Sequence, residues 1–340
     1  MTSPRLPLLA LTTAAVAALA LVGCAPGDTD STNDRLQIVA STNVYASIAS
    51  AIAGDGADVE AIIDDIALDP HEYEATTRDA LALDRADLVI MNGGGYDEFM
   101  STLLGAQSTS PVVIDAVEIA DHDDEDGAHA GEDHAGDGAS EEADEHAGHD
   151  HSGHDHSGHD HSGHDHGEVN EHVWYDLHAM SDLAHEIADA LAELDPDGAA
   201  EYQANAEAFV RDLDEVHERA HAIADSHEGL QVASTEPVPH YLLELAGLSD
   251  ATPAEFTRAV ESGVDAPVLV VQDVLELVSG GTVAFLAYNE QTVSPQTQEV
   301  LAAAGAAGLP VVSFSELLPE GLDYIEWMSS NVDAIQAAVS

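Results

Sequence analysis

The chain has 340 residues, 45% of them hydrophobic, enough for one or two domains with a sizeable core. It carries 66 Asp and Glu against 7 Arg and no Lys, for a formal net charge of −59. That charge argues against nucleic-acid binding and against an electrostatic grip on anionic membranes, and it concentrates divalent cations at the surface.

The chain opens with Arg5, an apolar run over residues 6–21, and the tetrapeptide Leu21-Val22-Gly23-Cys24. The run has the length of a signal-peptide core and is short for a membrane span. The tetrapeptide resembles a bacterial lipobox, in which the chain is cut before the cysteine and the cysteine carries lipid. Residues 1–23 are therefore expected to be a lipoprotein signal peptide, Cys24 the lipidation site, and residues 24–35 a flexible tether. Cys24 is the only cysteine, so no intramolecular disulfide forms.

A strand is expected at residues 36–40, then a helix at 44–53 and a second strand at 58–63. Residues 69–74, Asp-Pro-His-Glu-Tyr-Glu, read as a loop, and Thr76 caps a helix reaching residue 85. A third strand at 87–92, a Gly93-Gly94-Gly95 turn, a helix at 96–104 and a fourth strand at 111–115 follow. This alternation implies a parallel α/β lobe.

Residues 121–167 form an acidic insertion rich in Gly and His. Its centre is the repeat Gly-His-Asp-His-Ser, starting at Gly148, Gly153 and Gly158, with a variant from Gly163. Without apolar residues it cannot offset chain entropy and is expected to be disordered. Imidazole is the commonest metal-binding side chain. His146, His149, His151, His154, His156, His159, His161, His164 and His166 thus read as an accessory metal-collecting loop. The bland alternative is an inert polar insertion.

The chain turns apolar at Asn170-Glu171-His172-Val173-Trp174-Tyr175-Asp176, and a helix is expected to residue 194. Asp195-Pro196-Asp197 breaks it and starts a long helix whose Tyr202, Ala206, Phe209, Leu213, Val216, Ala220 and Ile223 form one apolar stripe. A second set follows: strand 231–235, helices 239–246 and 268–277, strand 283–287, helix 295–304, strand 311–314 and a final helix 322–338. The expected organisation is an N-terminal lobe at 36–195, a connecting helix at 196–228 and a C-terminal lobe at 229–340. The fold class is α/β: two parallel-sheet lobes joined by one long rigid helix, with a metal cleft between them.

Two motifs suggest enzymes. His217-Glu218-Arg219-Ala220-His221 matches the H-E-x-x-H of zinc proteases, and His227 has the spacing of a third ligand. The glycine turn that would bring His227 back is replaced by Ala224, so His227 falls roughly 15 Å along the same helix. Gly93-Gly94-Gly95 lacks the remainder of any phosphate-binding signature and reads as a tight turn.

Four loop stretches beside strands or helices carry candidate metal ligands: His71, His172, Glu236 in Thr-Glu-Pro-Val-Pro-His-Tyr, and Glu316 after the last strand. With these residues in view, the chain resembles the cluster A-I substrate-binding lipoproteins of bacterial zinc and manganese ABC transporters. The likeness rests on Asp-Pro-His-Glu-Tyr-Glu, Asn-Glu-His-Val-Trp-Tyr-Asp and the His-rich insertion before it. It also rests on the start of the connecting helix (195–205), the stretch from Thr235 to Tyr241, and the Pro319 to Met328 ending.

That resemblance implies His71 and His172 as ligands from the first lobe and Glu236 and Glu316 from the second. Relatives often carry Asp at the fourth position, where this chain has Glu316. His240 departs from the family's ligand position, and His178 and His185 read as ordinary helix residues. The implied function is capture of Zn2+, with Mn2+ the alternative, by a non-enzymatic monomer. The lipid anchor would hold it outside the cytoplasmic membrane for delivery to an ABC permease and its ATPase. The rivals are a His-rich buffering or chaperone lipoprotein and, remotely, a zinc hydrolase.

Overall fold

The computed structural model of the protein describes residues 35–127 and 170–340. The signal segment, Cys24 and the His-rich repeat lie outside the described residues.

The N-terminal lobe runs β1 Leu36–Thr42, α1 Asn43–Ala53, β2 Ala57–Ile63, α2 Thr77–Leu83, β3 Leu88–Met91, α3 Glu98–Ala106, β4 Val112–Asp115 and α4 Ala116–Gly127. After a 3-10 turn at Val173–Tyr175 come α5 Leu177–Leu194 and α6 Ala199–His227. The C-terminal lobe continues with β5 Leu230–Ser234, α7 His240–Leu245, β6 Leu248–Asp250, α8 Ala254–Glu261, α9 Val268–Ser279, β7 Leu286–Asn289, α10 Pro295–Ala307, β8 Val311–Phe314 and α11 Tyr324–Val339.

Both sheets are parallel and share one topology, β2-β1-β3-β4 and β6-β5-β7-β8. In each, the strand order reverses beside the first strand of the lobe. A crevice for ligand opens at the carboxyl ends of the strands at such a reversal. The loops after β2, β5 and β8, together with the end of β7, carry the residues of interest.

Local chemistry sets the element ends. Thr76 and Asp79 form a capping box on α2, and the Asp176 carboxylate accepts from the amides of His178 and Ala179 to start α5. Helix α6 is 29 residues long, about 43 Å. Its buried residues are Tyr202, Ala206, Phe209, Leu213, Val216, Ala220 and Ile223, the expected stripe. This face packs in one core that runs through both lobes and includes Val173, Trp174 and Tyr175. Tyr324 Oη donates to the Trp174 carbonyl at 2.7 Å, and Tyr175 Oη to that of Ser315 at 2.8 Å.

Three expectations need correction. Helix α4 extends to Gly127, so residues 121–127 of the expected disordered insertion are helical. A helix nucleated on buried Ala116 and Val117 propagates with one bond per added residue. Strand β7 lies later than 283–287, because the pairing of Ala233 and Ser234 with Leu286 and Ala287 selects the end of that apolar run. Strand β6 and helix α8 were not anticipated. β6 has three residues, too short for a period, and α8 starts behind Pro253 with no side-chain cap.

Candidate metal centre

The two lobes face each other across a cavity of about 590 Å³ whose lining includes Asp69, His71, Glu171, Arg258, Glu261 and Thr292. At its inner end, one donor atom each from His71, His172 and Glu316 lie within 4.8 Å of one another. His71 comes from the β2–α2 loop, where its amide donates to Asp69 Oδ1 at 2.9 Å. His172 immediately precedes the 3-10 turn and is 1% exposed. Glu316 follows β8 and is 2% exposed.

His172 is fixed from behind. Its Nδ1 lies 2.7 Å from Asn170 Oδ1, so with the hydrogen on Nδ1 the lone pair of its Nε2 is left open to a metal. Asn170 is in turn held by the second lobe: Nδ2 donates to the Pro237 carbonyl at 3.0 Å, and its own carbonyl accepts from Tyr241 Oη at 2.7 Å. The His172 ring meets Trp174 edge-on at 5.1 Å and Tyr96 at 6.1 Å. His71 Nε2 faces Glu316 Oε2 at 3.8 Å, while its Nδ1 faces Glu171 Oε1 at 3.4 Å.

Glu236, two residues after the end of β5 and 4% exposed, stands outside the group of three. Asn289, at the end of β7, connects it to them. Its Nδ2 donates to Glu236 Oε2 at 2.6 Å and to Glu316 Oε1 at 2.7 Å. Gln291 ties the lobes at the same level. Its Nε2 donates to the Ile66 and Leu68 carbonyls of the first lobe, and its Oε1 accepts from the amides of Glu316 and Leu317.

The electrostatics favour a cation. Burial, then His71, lowers the His172 pKa to about 3, and burial also lowers that of His71. Both imidazoles are neutral near pH 7, so their approaches to Glu171 and Glu316 are not ion pairs and their lone pairs are open to a metal. Burial first, then neighbouring carboxylates, raises Glu171 and Glu236 to about 8. Burial raises Glu316 to about 7 and also raises Glu261. Arg258 offsets part of the shift at Glu261, and buried carboxyls crowded together are further relieved by a bound positive ion.

Sequence reasoning overlooked Glu261, whose Oε1 lies 3.9 Å from His172 Nδ1. It sits on the unanticipated α8. Tyr96, expected in a helix, lies in the turn before α3, where its hydroxyl donates to Glu316 Oε2 at 3.4 Å. The Gly93-Gly94-Gly95 turn places it with φ of 78°, 63° and 104°. The Asp97 carboxylate accepts from the amides of Asn92 and Gly93 at 2.7 and 3.0 Å, so these amides serve their own loop rather than a phosphate.

Among the described residues, His240, His178, His185, His217, His221 and His227 stand apart from this group. His240 and His178 are exposed beside Glu244 and Asp182. His185 lies exposed on α5. His217 and His221 stack on α6, and His227 stays on that unbroken helix with Nδ1 3.2 Å from the Ile223 carbonyl. The third-ligand geometry of a protease is therefore missing.

Residues 38–338 match the family described as zinc-uptake complex component A, periplasmic (ZnuA). The chain belongs to this family. A curated relative of the ZnuA-family chain is the manganese-binding lipoprotein MntA of Halalkalibacterium halodurans, 27% identical over 96% of each chain. The periplasmic zinc-binding protein TroA of Treponema pallidum has the same fold, with a TM-score of 0.66 at 17% identity over 90% of this chain and 99% of that one. FpvC of Pseudomonas aeruginosa in complex with Mn2+ gives 0.64 at 22% identity, covering 90% of this chain and 98% of the other.

Proposed function

We infer that the protein captures one divalent transition-metal ion in the cleft and delivers it to an ABC permease and its ATPase. The observation that carries this reading is the convergence of His71, His172 and Glu316 donors within 4.8 Å at the junction of two lobes. Glu236 supplies the fourth donor from the end of β5. Four protein donors fill the coordination of a tetrahedral ion and leave no open position for a catalytic water, so the site holds rather than reacts. Release requires the permease to favour an open arrangement of the lobes, since only a differential interaction shifts such an equilibrium. Cys24 anchors the protein to the outer face of the membrane, and the histidines of residues 146–166 gather ions for the cleft.

Zinc is the favoured cargo. Two neutral imidazoles suit it, and it binds most mixed nitrogen and oxygen sites more tightly than manganese. Manganese is the second reading, supported by the similarity to MntA and by the carboxylates around the imidazoles. The test is metal content and zinc–manganese competition on the full chain with the histidines of residues 146–166 changed to serine. One tightly held zinc that disappears in His71→Ala is the expected result. Retention of manganese against zinc would move the assignment to manganese, and absence of any tight ion would leave only the buffering role.

A further inference from the structure

Asn289 does more than satisfy buried acceptors. It is 3% exposed and its amide stands between the two carboxylates of the C-terminal lobe. One nitrogen, Nδ2, reaches Glu236 Oε2 at 2.6 Å, Glu316 Oε1 at 2.7 Å and Thr292 Oγ1 at 3.2 Å. The amide cannot turn over without loss. Oδ1 accepts from the Gln291 amide at 3.0 Å, and the Asn289 backbone amide donates to Thr235 Oγ1 at 3.0 Å. Each carboxylate therefore has one oxygen committed to Asn289. For Glu316 the other oxygen is Oε2, which faces His71 Nε2 at 3.8 Å and accepts a longer bond, 3.4 Å, from Tyr96 Oη.

An oxygen that already accepts a short hydrogen bond is a poor second ligand. A carboxylate anchored this way offers a cation one oxygen instead of two. That matters for selectivity, because zinc is satisfied by four donors, whereas larger oxygen-seeking ions gain by taking both oxygens of a carboxylate. We propose that Asn289 is the positioning residue that holds Glu236 and Glu316 to single-oxygen coordination and so biases the cleft toward a four-coordinate ion. This rests on the metal-capture reading above and adds to it the residue that sets which ion is preferred.

The protein itself provides the first test. X-ray absorption at the zinc edge, on the full chain with the histidines of residues 146–166 changed to serine and loaded with one zinc, is expected to show four nitrogen and oxygen neighbours. Five or six neighbours with both oxygens of a carboxylate at bonding distance would overturn the proposal without any variant of Asn289.

The second test is Asn289→Leu on the same background, which keeps the branched shape and removes the amide. Its zinc-over-manganese affinity ratio is expected to fall about 10- to 100-fold, the range for partners that orient metal ligands, with the zinc neighbour number rising above four. A folded Asn289→Leu protein that still binds one ion with an unchanged ratio would overturn the role of Asn289 alone. A parent protein that holds no ion in the cleft would overturn the capture reading and this inference together, so the two failures are told apart.

Discussion

Of the four proposed ligands, the two nitrogen donors come from the N-terminal lobe and the two oxygen donors from the C-terminal lobe, and the two kinds are fixed differently. Glu236 and Glu316 each leave the end of a parallel strand, are 4% and 2% exposed, and are tied to the same amide from β7. His71 lies in the loop between β2 and α2 with 23% of its side chain exposed. The bonds that steady that loop come partly from the other lobe, through Gln291. The carboxylate half of the site is thus preset by its own sheet, whereas the His71 half depends on how the lobes meet. Capture and release can then be controlled by the lobe contact while the oxygen donors stay in place.

The largest effect is expected where the two halves touch. Glu316 contacts both, through His71 and Tyr96 on one side and Asn289 on the other. Glu316→Ala is expected to weaken zinc at least about 100-fold, beyond what loss of an orienting partner costs. Competition with a chromophoric chelator measures it. A loss smaller than that of Gln291→Ala would break the view that the strand-end carboxylates form the fixed half.

A smaller effect is expected from loosening the lobe contact alone. Gln291→Ala removes two donations to first-lobe carbonyls and two acceptances from the Glu316 and Leu317 amides. Each such bond contributes about 1 kcal/mol, and some are remade with water, so ion dissociation is expected to quicken about 10-fold. Stopped-flow transfer of zinc to a chelator reads the rate. An unchanged rate would show that the other bonds between the lobes, such as the reciprocal pair between the Asn43 side chain and the Leu318 backbone, both at 2.9 Å, hold them without Gln291.

The same asymmetry explains what the sequence made legible. Strand-end and loop donors sit in short polar runs flanked by apolar ones, so His71, His172, Glu236 and Glu316 stood out. The stripe of α6 was readable because a single 3.6-residue period runs its whole length. Asn289 was hidden at the polar end of an apolar run, because β7 continues two residues past the expected end at 287. Glu261 was hidden because α8 has no cap and follows a three-residue strand. Glu171 was visible as part of a motif. Its approach to His71 depends on Asn92, whose Nδ2 donates to the Glu171 carbonyl at 2.9 Å across a separation no local pattern encodes.

The smallest effect sharpens the comparison by sign. The His172 pKa is lowered from 6.5 to about 3, so between those values the unfolded chain binds more protons than the folded one. Stability from that group rises with pH over this window and levels off above 6.5. Glu236 and Glu316 are raised from 4.5 to about 8 and about 7, so the folded chain binds more protons there, and their contribution falls as pH rises through that range. Between pH 4.5 and 6.5 His172 opposes these carboxyls; above 6.5 the carboxyls titrate without it, with Glu171, also raised to about 8, adding to the decline. In chelator, the melting temperature is therefore expected to drop between pH 6.5 and 8, by about 2–4 °C for each 1 kcal/mol lost. With zinc present the trend should reverse, since the ion takes the deprotonated carboxylates. Glu236→Gln, which cannot ionise, should flatten the decline. A decline that persists unchanged in that variant would remove Glu236 as its source and assign it to the other raised carboxyls, Glu316 and Glu171.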